Sequence, residues 1–149
     1  MPQTDTTKPA FTLHPAFHVT VQRPEAHLPE VLEAVQAVDP LTYGFYDQVS
    51  FATTPGVQRF RSCPGGRNPA SETAMQVPCT ELSFAVLDTD PAHLNQVLQA
   101  IFDSHPYEEP VIFVTQATYT RHVPGTGLDA PAKFWNRDTP DWVPATHRD

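Results

Sequence analysis

The segment HPYEEP, residues 105–110, brings His105, Glu108 and Glu109 close together in the chain. An imidazole beside two carboxylates suits zinc or another divalent cation. The His-x-x-Glu spacing resembles helical metalloprotease signatures, but those require an unbroken helix to put the ligands on one face. Pro106 disfavours helical backbone at His105, so a preceding helix is expected to stop near Ser104, and Pro110 biases Glu109 towards extended backbone. The plainer reading is a rigid helix-to-strand elbow, with His105 near the negative end of the helix and the glutamates in solvent or at a subunit contact.

A second constellation is RFRSCPGGRNP, residues 59–69. Arg59, Arg61 and Arg67 are three of the nine cationic residues, and they flank Gly65, Gly66 and Asn68. Glycines let backbone N–H groups converge on an anion, and arginine offers forked donors to phosphate or carboxylate. No Gly-Lys-Ser/Thr follows, so this is not a phosphate-binding P-loop, and a solvated loop is the bland alternative. Cys63 and Cys79 specify neither a disulfide nor a metal site, and free thiols are expected. The chain has no nucleophile elbow, dinucleotide fingerprint or paired metalloprotease histidines. Nothing in it argues positively for an enzyme.

The elements that must position these groups come from an internal repeat. Phe17, Val19 and Val21 alternate with polar neighbours, as in a strand with one buried face, and Leu28, Val31, Leu32 and Val35 then fall on one helical stripe. Leu82, Phe84 and Val86 repeat the alternation; Leu94, Val97, Leu98 and Ile101 repeat the stripe. Even the letters align, AHLPEVLEAV at 26–35 with AHLNQVLQAI at 92–101. Asp90-Pro91 is a cap residue followed by proline at the first helical position, and Pro29 sets the first helix to start near His27 or Leu28. YGFYDQVSF (43–51) and VIFVTQATY (111–119) read as further strands. The order β-α-β, β-α-β predicts an α+β, ferredoxin-like βαββαβ sandwich, a four-stranded antiparallel sheet with both helices on one face.

Residues 1–16 are expected to form a flexible arm, 17–120 the domain with a long loop at 52–79 that has room for a short hairpin, and 121–149 a Pro-rich tail containing Phe134, Trp135 and Trp142. The 149 residues include 17 prolines, well above the average usage of about 5%. Seventeen acidic against nine basic residues give a formal charge of −8, a field that opposes nucleic acid and anionic membranes as partners. No apolar run approaches a membrane span, and a cytoplasmic location is expected.

The run YGFYDQVSF, GVQRFR and GGRNP, followed by an alternating strand, a helix and HPYEEP, resembles the small CutA/PII-like domain of the YqfO family. That domain is an insert in the dinuclear-metal proteins known as type 2 GTP cyclohydrolase I, and it also occurs free-standing. The resemblance covers about residues 17–119 and implies a ferredoxin-like fold that associates as a homo-oligomer, a trimer by preference. It does not carry the cyclohydrolase activity, because the metal ligands of the larger relatives belong to the surrounding domain. Ser62, Ser71 and Glu72 depart from the family pattern. The expectation is a non-enzymatic oligomer that binds a small anionic ligand through Arg59, Arg61, Gly65, Gly66, Arg67 and Asn68, or a divalent metal through His105, Glu108 and Glu109, at clefts between subunits. The alternatives are a structural or interaction module and a metal-dependent hydrolase.

Overall fold

The computed structural model describes residues 8–138. Strand β1 (Phe11–Pro24) leads through a 3-10 turn (Glu25–His27) into α1 (Leu28–Val38). Strands β2 (Phe51–Ala52), β3 (Gly56–Phe60) and β4 (Met75–Val86) follow, then α2 (Pro91–Ser104) and β5 (Val111–His122). The chain divides into two compact units, 14–119 and a smaller one formed by the two ends.

In the larger unit the two repeats build the core. The paired register Phe17↔Val86, Val19↔Phe84 and Val21↔Leu82 aligns the buried alternation of β1 with that of β4. Val31 and Val35 of α1 and Val97 and Ile101 of α2 close over this face, all fully buried. Leu32 packs against this cluster half-buried, and the side chain of Leu28, the remaining member of the expected stripe in α1, lies outside the described residues. Both helices begin where their prolines require, and Asp90 Oδ1 caps α2 by accepting the Ala92 N–H at 3.0 Å. The helices also meet through Asp39 at the end of α1. Its Oδ2 lies 2.7 Å from His93 Nε2, while Oδ1 accepts the Leu41 N–H at 2.7 Å.

The sheet has five strands in place of the expected four, in the order β2-β4-β1-β5 with β3 also on β4. The extra strand is a break in one lane. Ala52 faces Leu82 and Gly56 faces Cys79, so four steps on one side match three on the other, a bulge of one residue. Pro55, which has no N–H to give a ladder, sits in the break. The strand read at 43–51 is confined to its last residue, Phe51. Upstream, Leu41 and Gln48 have φ of 53° and 55°, Gly44 has φ of 63°, and Tyr43 and Tyr46 pair across a tight turn. These left-handed positions override the β-propensity of the aromatics, leaving Phe45 and Tyr46 exposed. Within 52–79, β3 and the first half of β4 form a hairpin, and the irregular part is 61–74.

The smaller unit joins residues 8–13 to 120–138. Val123 N–H donates to Ala10 O at 2.8 Å, and a Cβ on Gly127 would stand 3.1 Å from Ala10 Cβ. Trp135 Nε1 and Asn136 Nδ2 both donate to Leu128 O, and the Phe134 and Trp135 rings meet edge to face. Residues 1–7 of the expected arm, and 139–149 with Trp142, lie outside the described residues.

Candidate functional site

The elbow is built from His105 outward. The last turn of α2 ends at Ser104, and His105 takes the extended backbone that Pro106 demands, φ −81° and ψ 139°. Its ring is buried, 7% exposed. Nε2 lies 2.8 Å from the Gln22 carbonyl, which can only accept, so Nε2 carries the proton. Nδ1 is then free to accept the Tyr107 N–H at 3.1 Å. Both nitrogens are thus spent, Nε2 on pinning the elbow to β1 and Nδ1 on bracing the elbow's own turn. Burial pushes the His105 pKa down, and the nearby Arg23 and His27 add to this against the opposing Gln22 carbonyl.

The sign of the resulting pH dependence is fixed. Above the ordinary value of 6.5 the ring is neutral in both folded and unfolded chains. Below it the unfolded chain takes up a proton that the folded ring resists, so stability is lost as pH falls from 6.5. His105→Gln keeps a donor for the Gln22 carbonyl and is expected to flatten this acid limb, at a cost of about 1 kcal/mol for the lost Tyr107 contact. Urea melts at pH 7.5 and 5.5 measure it; an unchanged difference between the two pH values would count against the assignment.

Facing the elbow is the β3–β4 hairpin. Strand alternation puts Gln58 and Phe60 on one face with their partners Val77 and Met75, while Arg59 and Gln76 point to the other. The first four floor a cleft of about 830 Å³. One wall is the loop with Arg61, Cys63, Gly66, Arg67 and Asn68, and the other is the elbow with Tyr107, Glu108 and Glu109. Phe60 and Tyr107 meet across it with ring centroids 5.8 Å apart. The loop is closed at its base by Ser71 N–H donating to Ser62 O at 3.0 Å. It touches the elbow where Arg67 N–H donates to Glu108 Oε1 at 2.8 Å. A smaller depression of about 450 Å³ at Thr42–Asp47 has Asp47 as its charged group.

The two sequence constellations therefore meet, with a change of membership. Arg61, Gly66, Arg67, Asn68, Glu108 and Glu109 line the cleft. Gly65 shapes the loop through its φ of 103°, Arg59 lies on the opposite strand face, and His105 is buried behind Tyr107. Among the described residues, no three His, Cys, Asp or Glu side chains converge as a metal-binding group. A cation in the cleft would find Glu108, Glu109 and the Cys63 thiol but no imidazole, so the expected donor set of His105, Glu108 and Glu109 is not assembled there. Cys63 and Cys79 are free thiols, the first exposed and the second buried.

Sequence reading missed Gln58, Phe60 and Tyr107. The alternation in GVQRF was the available signal for the first two. It also missed Gln22, whose Oε1 accepts from Gln58 Nε2 at 3.2 Å, and the buried Arg23. Arg23 is 0% exposed, and among the described residues its Nε, Nη1 and Nη2 have no hydrogen-bond partner; nor does the hydroxyl of Thr80, its neighbour across the ladder. Burial pushes the Arg23 pKa down.

No protein-family model matches the chain, and no curated protein matches it. Solved structures do match. A Bacillus cereus protein related to NIF3 superposes with a TM-score of 0.59 at 21% identity, over 74% of this chain and 28% of its own. This chain thus spans little more than a quarter of that protein's length. CutA from Xylella fastidiosa gives 0.47 at 16% identity, over 68% of this chain and 83% of its own. CPII, a nitrogen regulatory PII-like protein from Thiomonas intermedia with ADP, AMP and bicarbonate bound, gives 0.48 at 13% identity, over 75% and 100%. The likeness to the NIF3-related protein is one of architecture, and the chain's own strands and helices form the ferredoxin-like α+β sandwich expected from the repeat.

Proposed function

We propose that this protein is a non-enzymatic, cytoplasmic homo-oligomer, a relative of the YqfO small domain, that binds a small anionic ligand between the 61–74 loop and the HPYEEP elbow. The observation that carries the reading is the cleft itself. Two sequence-distant polar segments form opposite walls of one space of about 830 Å³, a size typical of small-molecule sites. Arg61 and Arg67 supply the charge, Phe60 and Tyr107 an apolar surface, and Gln58 an amide whose Oε1 has no partner among the described residues. The commitment of both His105 nitrogens favours an anion over a metal.

Association is supported by apolar side chains on both open edges of the sheet. Phe51 and Val57 are exposed on the β2/β3 lane, and Phe113 and Val114 on β5. Pairing or covering such edges is the usual way to protect them. Light scattering is expected to give a mass three times that of the 16.5 kDa chain. Calorimetry of the full chain against nucleotides, di- and tricarboxylates and divalent metals tests the ligand. Binding of an anion in preference to any metal is the expected result, and a folded oligomer that binds none of them would end this reading.

A further inference from the structure

Within the cleft, an anion already occupies the loop. Glu108 Oε1 accepts the Arg67 N–H at 2.8 Å, and a Cβ built on Gly66 would come within 3.1 Å of the same oxygen. The carboxylate therefore lies directly against the Gly66-Arg67 backbone, where any side chain at Gly66 would crowd it. Gly65, with φ of 103°, gives the loop a conformation that L side chains rarely adopt. The wall charges balance, Arg61 and Arg67 against Glu108 and Glu109, so the cleft in this state offers a new anion little net attraction. The Glu108 contact is also exposed, and hydrogen-bonded charges at a surface exchange partners at small cost.

We infer that Glu108 is an internal stand-in for the ligand's anionic group: an incoming carboxylate or phosphate takes the Arg67 N–H and displaces Glu108, freeing the 61–74 loop from the elbow. This rests on the cleft being a ligand site and adds to it the class of the group recognised and the residue that competes with it. Self-occupancy lowers apparent affinity by the fraction of time the position is vacant. Removing the charge of Glu108 while keeping an acceptor oxygen must therefore tighten binding, opposite to the effect of removing a residue that contacts the ligand.

The test compares Glu108→Gln with the native chain and with Glu33→Gln, which removes one charge on the exposed face of α1. Inorganic phosphate and succinate are titrated separately by calorimetry, and hydrogen exchange of the Arg67 amide reports the loop without any ligand. In Glu108→Gln, at least one probe is expected to bind about fivefold or more tighter, with faster Arg67 exchange, while Glu33→Gln stays within about twofold of native. In the native chain, that same probe is expected to speed exchange around the loop by releasing Glu108. Equal affinity in all three proteins, or weaker binding in Glu108→Gln, overturns the displacement while leaving the cleft a ligand site. Absence of binding of both probes in every protein overturns both the displacement and its basis.

Discussion

Replacing Arg23 by methionine is expected to raise the stability of the protein by about 1–4 kcal/mol. A guanidinium is charged at any accessible pH, and burying a charge without a partner costs several kcal/mol. Arg23 meets that condition: it is fully buried, and none of its three side-chain nitrogens has a hydrogen-bond partner among the described residues. Methionine keeps the length of the aliphatic stem, and its flexible thioether fills irregular space without a polar atom to satisfy. Urea unfolding at pH 7 measures the change as a higher midpoint at constant slope. A loss of stability would mean that Arg23 is compensated in solution by a bound water or ion, because removing one partner of a satisfied buried charge destabilises. The position is informative either way. Arg23 lies at the end of β1, one residue beyond the Gln22 carbonyl that holds His105, so its environment and the elbow are built on the same stretch of backbone.

The largest expected effect on binding is that of Arg61→Ala combined with Arg67→Ala. Both residues line the cleft, and a guanidinium can make charge-assisted hydrogen bonds to a carboxylate or phosphate. Hydrogen bonds to charged groups contribute about 1.5–3 kcal/mol each, so the double variant should lose on the order of 100-fold or more in affinity for whichever anion the native chain binds. Arg59→Ala serves as the internal comparison. It removes one positive charge from the same stretch of sequence, as each cleft substitution does singly, but alternation along β3 turns Arg59 to the opposite face, and its effect should stay within about threefold. Equal losses at Arg59 and at the cleft arginines would show that long-range charge, not contact, governs binding. Repeating the titration at higher salt separates the two, since long-range attraction is screened while close contacts persist.

The difference between Arg59 and Arg61 shows why the site was only half legible. RFRSCPGGRNP reads as one basic segment, and nothing local says that a strand runs through Phe60 and turns to loop at Arg61. The strand forms because β4 offers it a ladder, and which arginine faces the cleft follows from that register. The elbow was more legible. Proline restricts its own residue and the one before it, so the end of α2 at Ser104 and the extended His105 follow from three consecutive residues. What His105 does there was not legible, because its partner carbonyl is on Gln22, at the other end of the chain's fold.

Taken alone, the sequence determined the repeated strand and helix patterns, the proline-set helix starts and the helices' shared packing on one face of a sheet. Those features depend on periodicity and on dihedral limits that each residue imposes on its near neighbours. Only the tertiary structure decided that one lane of the sheet is broken by a bulge, that an arginine is sealed inside, and that the glycine-arginine loop closes onto Glu108. Each of these is a contact between segments far apart in the chain. Its geometry is set by strand register and by burial, which no single stretch of residues encodes.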